Sequence, residues 1–137
     1  MHVQVDTQRE FEQSADQVWK IGGDFAGLQA WLPGITALRV EGSGAANAGG
    51  NAVRVIDLFD GSVTKERLEW VDEAQRAYSY RILSAKGIDE RADYVATFRV
   101  TALDGKRCRV DWSARFAVPD DFPADKQERA KQKVAQM

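Results

Sequence analysis

RADYVATFRVTALDGKRCRVDWSARFAV, residues 91–118, decides the fold. Tyr94, Ala96, Phe98, Val100 and Ala102 stand on even positions of its first half, and Cys108, Val110, Trp112, Ala114, Phe116 and Val118 on even positions of its second. Period-two spacing turns one side of each run to a core and the other to water, which predicts antiparallel strands over Arg91–Leu103 and Arg107–Val118. The join sets the register. A two-residue Asp104-Gly105 loop would pair even with odd positions and split the apolar stripes between faces. A three-residue loop, Leu103-Asp104-Gly105, pairs even with even and puts glycine where a left-handed residue is wanted.

Upstream the pattern repeats. Arg76–Ser84 carries Tyr78, Tyr80 and Ile82 at period two. Asn51–Phe59 and Ser62–Asp72 flank Asp60-Gly61, a dipeptide that favours a two-residue type I′ hairpin. Pairing Phe59 with Ser62 sets Val55 opposite Glu66 and Val53 opposite Leu68. One face then carries Val53, Val55, Asp57, Phe59, Thr64, Glu66, Leu68 and Trp70; Arg54, Ile56 and Leu58 go to the other. From residue 51 to 118 the reading is strands and turns alone.

The N-terminal third differs. Val3, Val5, Thr7 and Phe11 predict a half-buried strand over residues 2–12. Ser14-Ala15-Asp16-Gln17 has the spacing of a capping box and opens a helix through Val18, Trp19 and Ile21, ended by Gly22-Gly23. Asp24 caps a second short helix through Phe25, Leu28 and Ala30, which stops before Pro33-Gly34. Ile35–Glu41 reads as a strand, Gly42–Gly50 as a flexible loop, and Ala124–Met137 as a final helix beyond Pro119–Pro123.

Composition narrows the function. The chain has 137 residues, 44% hydrophobic and 29% charged, with net charge −2, the usage of one ordinary domain over residues 1–137. The balance favours neither a nucleic-acid partner nor a polyanion mimic. One cysteine, Cys108, and one histidine, His2, leave no internal disulfide, no Cys-based or multi-His metal site and no Ser–His or Cys–His chemistry. No apolar run has membrane-spanning length. The expectation is a cytoplasmic protein that works without metal or cofactor.

The order strand, two short helices, about six antiparallel strands and a terminal helix suits an α+β helix-grip fold. The sequence resembles the SRPBCC/START-like (Bet v 1-like) superfamily, in particular its small bacterial polyketide cyclase/dehydrase-like members. The residues that carry the resemblance are Ala15 to Trp19, Asp24-Phe25, Trp31 to Ile35, Gly50 to Arg54, Glu66-Arg67-Leu68 with Asp72, Tyr80, Tyr94 and Val110-Asp111-Trp112. They imply a curved sheet of about seven strands that wraps a C-terminal helix and leaves a cavity between them. That helix reads as short, with only fourteen residues after Pro123. The implied function is binding of a small hydrophobic or aromatic ligand, lipid- or polyketide-like. The alternative is a cofactor-independent cyclase or dehydrase that uses Glu66 or a pocket tyrosine as acid and base.

The candidate ligand-binding residues are Val55, Asp57, Phe59, Glu66, Leu68, Tyr78, Tyr80, Tyr94, Phe98 and Trp112. Three inward tyrosine hydroxyls, each needing a partner, suit a wet, amphipathic pocket. Glu66 stands mid-strand on the apolar face, where a carboxylate is costly unless paired or hydrated. It also matches the Glu of the superfamily's Glu-Arg-Leu motif, which in the hormone receptors contributes to the ligand pocket. It is the candidate catalytic residue; the alternative is a structural carboxylate held by a backbone amide or a tyrosine hydroxyl. Asp57 would lie diagonal to it, about 7–8 Å away. Arg54, Lys65, Arg67, Arg81, Arg99, Arg107, Arg109 and Arg115 are assigned outward, a basic sheet face that keeps the protein soluble or docks an acidic protein partner. Without interleaved aromatics it is no nucleic-acid site. Cys108 reads as an inert core thiol, and the chain as a monomer or weak dimer.

Overall fold

The computed structural model describes residues 2–41 and 52–118. The expected Gly42–Gly50 loop and Ala124–Met137 helix lie outside the described residues. The elements are β1 (His2–Phe11), α1 (Ala15–Gly22), a 3₁₀ segment (Phe25–Ala30), β2 (Ile35–Glu41), β3 (Val53–Leu58), β4 (Val63–Asp72), β5 (Ala77–Ser84), a 3₁₀ turn (Glu90–Ala92), β6 (Val95–Ala102) and β7 (Cys108–Ala117). Seven strands form one sheet in the order β1-β7-β6-β5-β4-β3-β2, all neighbours antiparallel. The α1 and 3₁₀ segments therefore carry the chain from one sheet edge to the other. This is the α+β helix-grip order of strands and N-terminal helices.

The helices follow their local chemistry. Ser14 Oγ accepts from the Gln17 amide at 3.2 Å, and Gln17 Oε1 accepts from the Ser14 amide at 3.1 Å, a complete capping box. Two glycines end α1 because neighbouring rings fill the space of a side chain. A Cβ on Gly22 would stand 2.7 Å from the Phe98 ring, and one on Gly23 would stand 2.5 Å from the Trp19 ring.

The β6–β7 pairing has the expected parity: Phe98 faces Trp112, and Val100 faces Val110. Its loop sits one residue later than Leu103-Asp104-Gly105, because Leu103 N–H donates to the Arg107 carbonyl and Asp104 Oδ1 accepts from the Lys106 amide. Among the described residues the left-handed glycines are Gly34, Gly61 and Gly87, not Gly105.

The β3–β4 hairpin corrects the sequence reading. Leu58 N–H donates to the Ser62 carbonyl at 2.9 Å, so the turn has three residues, Phe59-Asp60-Gly61, rather than two. Asp60 Oδ1 accepts from the Ser62 amide and hydroxyl at 2.9 and 2.6 Å, while Gly61 takes φ 86°. That local carboxylate turn outcompetes the type I′ geometry. The register becomes Arg54 opposite Glu66 and Val55 opposite Lys65. One residue of slip exchanges faces, so Arg54, Ile56 and Leu58 point inward and Val53, Val55 and Asp57 point away.

Two smaller departures follow. A bulge between Leu68 and Trp70 shifts the β4–β5 register and leaves Trp70, expected inward, 41% exposed. The 3₁₀ turn at Glu90–Ala92, started by Asp89 accepting from the Arg91 amide at 2.8 Å, interrupts the expected run of strands and turns.

The core joins Val3 and Val5 of β1 to Leu68, Tyr78, Tyr80, Phe98 and Val100 of the central strands. On the opposite face Arg99 and Arg115 are exposed, Arg81 of β5 pairs with Glu69 of β4 and with Asp93, and Arg109 pairs with Asp111 along β7. Arg54, assigned to that face, is not there. Among the described residues no helix is long and apolar enough to cross a membrane.

Candidate functional site

Arg54 and Glu66 are cross-strand neighbours on the inner face of β3 and β4, and each is buried. Arg54 Nε donates to Glu66 Oε1 at 2.6 Å. Its Nη1 donates to the Phe25 carbonyl at 3.1 Å, tying the sheet to the first turn of the 3₁₀ segment. The guanidinium carbon lies 4.3 Å from the Phe25 ring centroid and 4.8 Å from that of Tyr80. An ion pair, a carbonyl and two π faces together replace the hydration shell a buried cation gives up. Burial works against the charged form, yet Glu66, Tyr78 and Tyr80 outweigh it and raise the Arg54 pKa.

Three buried polar atoms have no hydrogen-bond partner among the described residues: Arg54 Nη2, the Tyr78 hydroxyl and Trp31 Nε1. Trp112 Nε1 donates to the Tyr80 oxygen at 3.1 Å. The Tyr80 hydroxyl proton therefore still has to find an acceptor.

Arg54, Glu66, Tyr80 and Trp112 line a cavity of about 260 Å³ between β3–β5 and the 3₁₀ segment. Leu28, Leu32, Ile56 and Ile82 supply its apolar walls. At its solvent end Lys86 Nζ meets Asp60 Oδ2 at 3.2 Å. The hydrogen bonds from the Ser62 hydroxyl and amide, with help from Lys86, hold the Asp60 pKa down at about 2.

The sequence-derived residues divide. Glu66, Tyr80 and Trp112 meet at this cavity. Tyr78 is buried behind the guanidinium, 5.9 Å from it, and Leu68 is buried in the core. Tyr94 stacks on Phe116 at 5.6 Å, and Phe98 packs edge-on to Trp112 at 5.8 Å. Val55, Asp57 and Phe59 are not brought to Glu66: the first two face away by register, and Phe59 sits in the turn 81% exposed. Among the described residues Glu66 is held by a guanidinium rather than by a backbone amide or tyrosine. Arg54 is the residue sequence reasoning missed. The signal was Asp60-Gly61-Ser62, whose side-chain acceptor predicts a three-residue turn and thereby the inward face of β3. Cys108 is buried, and burial pushes its thiol pKa up, as suits an inert core thiol. Among the described residues no group of three His, Cys, Asp or Glu could hold a metal ion.

Burial drives up the pKa of all three tyrosines of the chain, with Glu66 adding to the shift at Tyr80 and Tyr94. The folded state thus keeps phenol protons that the unfolded state releases near 10. Their contribution to stability is intact below that pH and falls as pH rises above it. Alkaline titration should show no tyrosinate absorbance until the protein unfolds, and then all of it in one step with the loss of circular dichroism. A separate earlier phase would mean that a hydroxyl is hydrated.

A profile of the polyketide cyclase/dehydrase and lipid transport family matches residues 2–136. No curated protein matches the sequence. Among solved structures, a protein from Thermobifida fusca superimposes with TM-score 0.80 at 24% identity over 97% of this chain and 83% of its own. The XoxI protein from Bacillus cereus gives TM-score 0.73 at 25% identity over 98% of this chain and 93% of its own. The Zhui aromatase/cyclase of a Streptomyces species gives TM-score 0.77 at 20% identity over 99% of this chain and 87% of its own.

Proposed function

Since this chain belongs to the polyketide cyclase/dehydrase and lipid transport family, we propose that it is a cofactor-independent enzyme of the cyclase/dehydrase type, acting on a flat, apolar ketone. One observation carries this reading: a fully buried guanidinium, one of whose nitrogens has no hydrogen-bond partner among the described residues, lines a cavity together with Glu66 and Tyr80. The similarity to an aromatase/cyclase supports it. A carbonyl oxygen accepting from Arg54 Nη2 gains most when it becomes an enolate, because fixed charge acts strongly where water is excluded.

Glu66 takes the proton from the carbon beside that carbonyl, and the enolate carbon attacks a second carbonyl of the same molecule. The oxygen of that second carbonyl takes the Tyr80 proton and becomes a β-hydroxyl as the carbon–carbon bond forms, and Glu66 passes its proton to Tyr80 to restore both groups. Glu66 then takes the second proton of the same carbon, the carbon–oxygen bond breaks as the double bond forms, and the leaving hydroxide departs as water with the Tyr80 proton. The proton on Glu66 returns to Tyr80, so the sequence needs no oxidant. The raised Tyr80 pKa fits a group that gives up its proton only to a strong acceptor.

A carrier is the second reading. The 2.6 Å bond from Arg54 occupies one Glu66 oxygen. Exchange of the α-protons of 2-tetralone in heavy water separates the two. Enzyme should accelerate exchange over buffer at equal pH by about 10²-fold or more, and Glu66→Gln should abolish the gain. Binding of 2-tetralone with exchange at the buffer rate would make the protein a carrier.

A further inference from the structure

A second, larger cavity of about 630 Å³ lies on the other side of Trp112, between α1 and the β1–β7 edge. The two chambers share Leu32 and Trp112 as a common wall. Trp112 cannot swing freely, because its indole N–H is fixed on Tyr80 and its carbonyl accepts from Thr7 Oγ1 at 3.0 Å. Its ring is held among aromatic neighbours, 5.7 Å from Trp31 and 5.8 Å from Phe98. Both of those rings line the second chamber.

The chamber's chemistry differs from that of the first. Phe11, Val18 and Ile21 extend the apolar wall, and Ile21 stays 56% exposed although it is a large aliphatic side chain. Its one cation, Arg9, rests over the Phe11 ring at 5.6 Å. Arg9 makes no ion pair among the described residues, whereas Arg39, Arg67, Arg76, Arg81, Arg91, Arg107 and Arg109 each face a carboxylate. An apolar slot lined by one cation that has no ion pair among the described residues suits a hydrocarbon arm with an anionic end.

We propose that the second chamber is a subsite for the remote part of the ligand: the substrate is elongated, its carbonyl-bearing ring lies at Arg54, and an apolar arm passes Trp112 to end in a carboxylate at Arg9. This inference rests on the first cavity being the ring site. Trp112 then acts as the sill over which the arm bends, and the chamber selects arm length. Molecules that end at the ring leave the larger cavity empty.

Calorimetric titrations with 2-naphthol, 6-hexyl-2-naphthol and 6-(5-carboxypentyl)-2-naphthol test this. The wild-type protein should bind the carboxylate-tailed compound about tenfold or more tighter than 2-naphthol, and about threefold tighter than the hexyl compound. Ile21→Trp, at an exposed position of α1, should remove the gain from either tail while leaving 2-naphthol affinity unchanged. Arg9→Gln should remove only the preference for the carboxylate. Equal affinities for all three compounds, or equal losses for all three in Ile21→Trp, would overturn the subsite and leave the ring site standing. Failure of 2-naphthol to bind, or binding of it that Arg54→Met leaves unaltered in folded protein, would overturn the ring site and the subsite with it.

Discussion

Arg54→Met is expected to cost about 3–5 kcal/mol of folding stability, measured as the free energy of urea unfolding. The substitution keeps much of the side-chain volume and deletes the charge, which leaves Glu66 buried without the one cation that pairs with it among the described residues. Desolvation of that carboxylate, not the loss of attraction itself, makes up most of the cost. Arg54→Met combined with Glu66→Leu should recover most of the loss, because replacing both partners of a buried pair by apolar groups is often neutral or stabilising. The two single variants and the double therefore form a cycle with strong positive coupling. A cost under about 1 kcal/mol for Arg54→Met alone would mean that the guanidinium is hydrated, as surface pairs are. The proposed anchoring of a carbonyl would then lose its low-dielectric setting.

This pair shows where reading the sequence stops. The faces of β6 and β7 were legible because both strands carry apolar residues on every even position, so any register of the right parity gives the same inward set. β3 offered no such protection. Val53 and Val55 alternate on one face, Ile56 and Leu58 add apolar bulk to the other, and the choice between faces passed to the turn. There Asp60 accepts two hydrogen bonds from Ser62, a contact between neighbours that tips the hairpin by one residue. The whole strand rotates with it, bringing Arg54 inward and taking Asp57 away from Glu66. Trp70 was misplaced for a related reason. A bulge adds one residue to β4 beyond Leu68, and no local pattern in Leu68-Glu69-Trp70 marks it. Glu66 was placed correctly because β4 keeps its parity up to that bulge. What it lacked in the sequence was its partner.

Phe25→Ala is expected to be nearly as damaging, at about 3–5 kcal/mol, for a side chain that is buried against both sheet and cation. Phe25 is 1% exposed, and its ring lies 4.3 Å from the guanidinium carbon and edge-on to Tyr78 at 6.2 Å. Its carbonyl holds Arg54 Nη1, so backbone and side chain of one residue close two approaches to the same cation. Volume and charge recognition can be separated. Phe25→Leu retains most of the apolar volume but removes the π face, and it should lose about 1–2 kcal/mol more in the wild-type background than in Arg54→Met. Thermal or urea unfolding of the four proteins gives that difference directly. If Phe25→Leu costs the same whether or not the cation is present, the ring serves only to fill space. The guanidinium would then be held in place by Glu66, the Phe25 carbonyl and the Tyr80 ring.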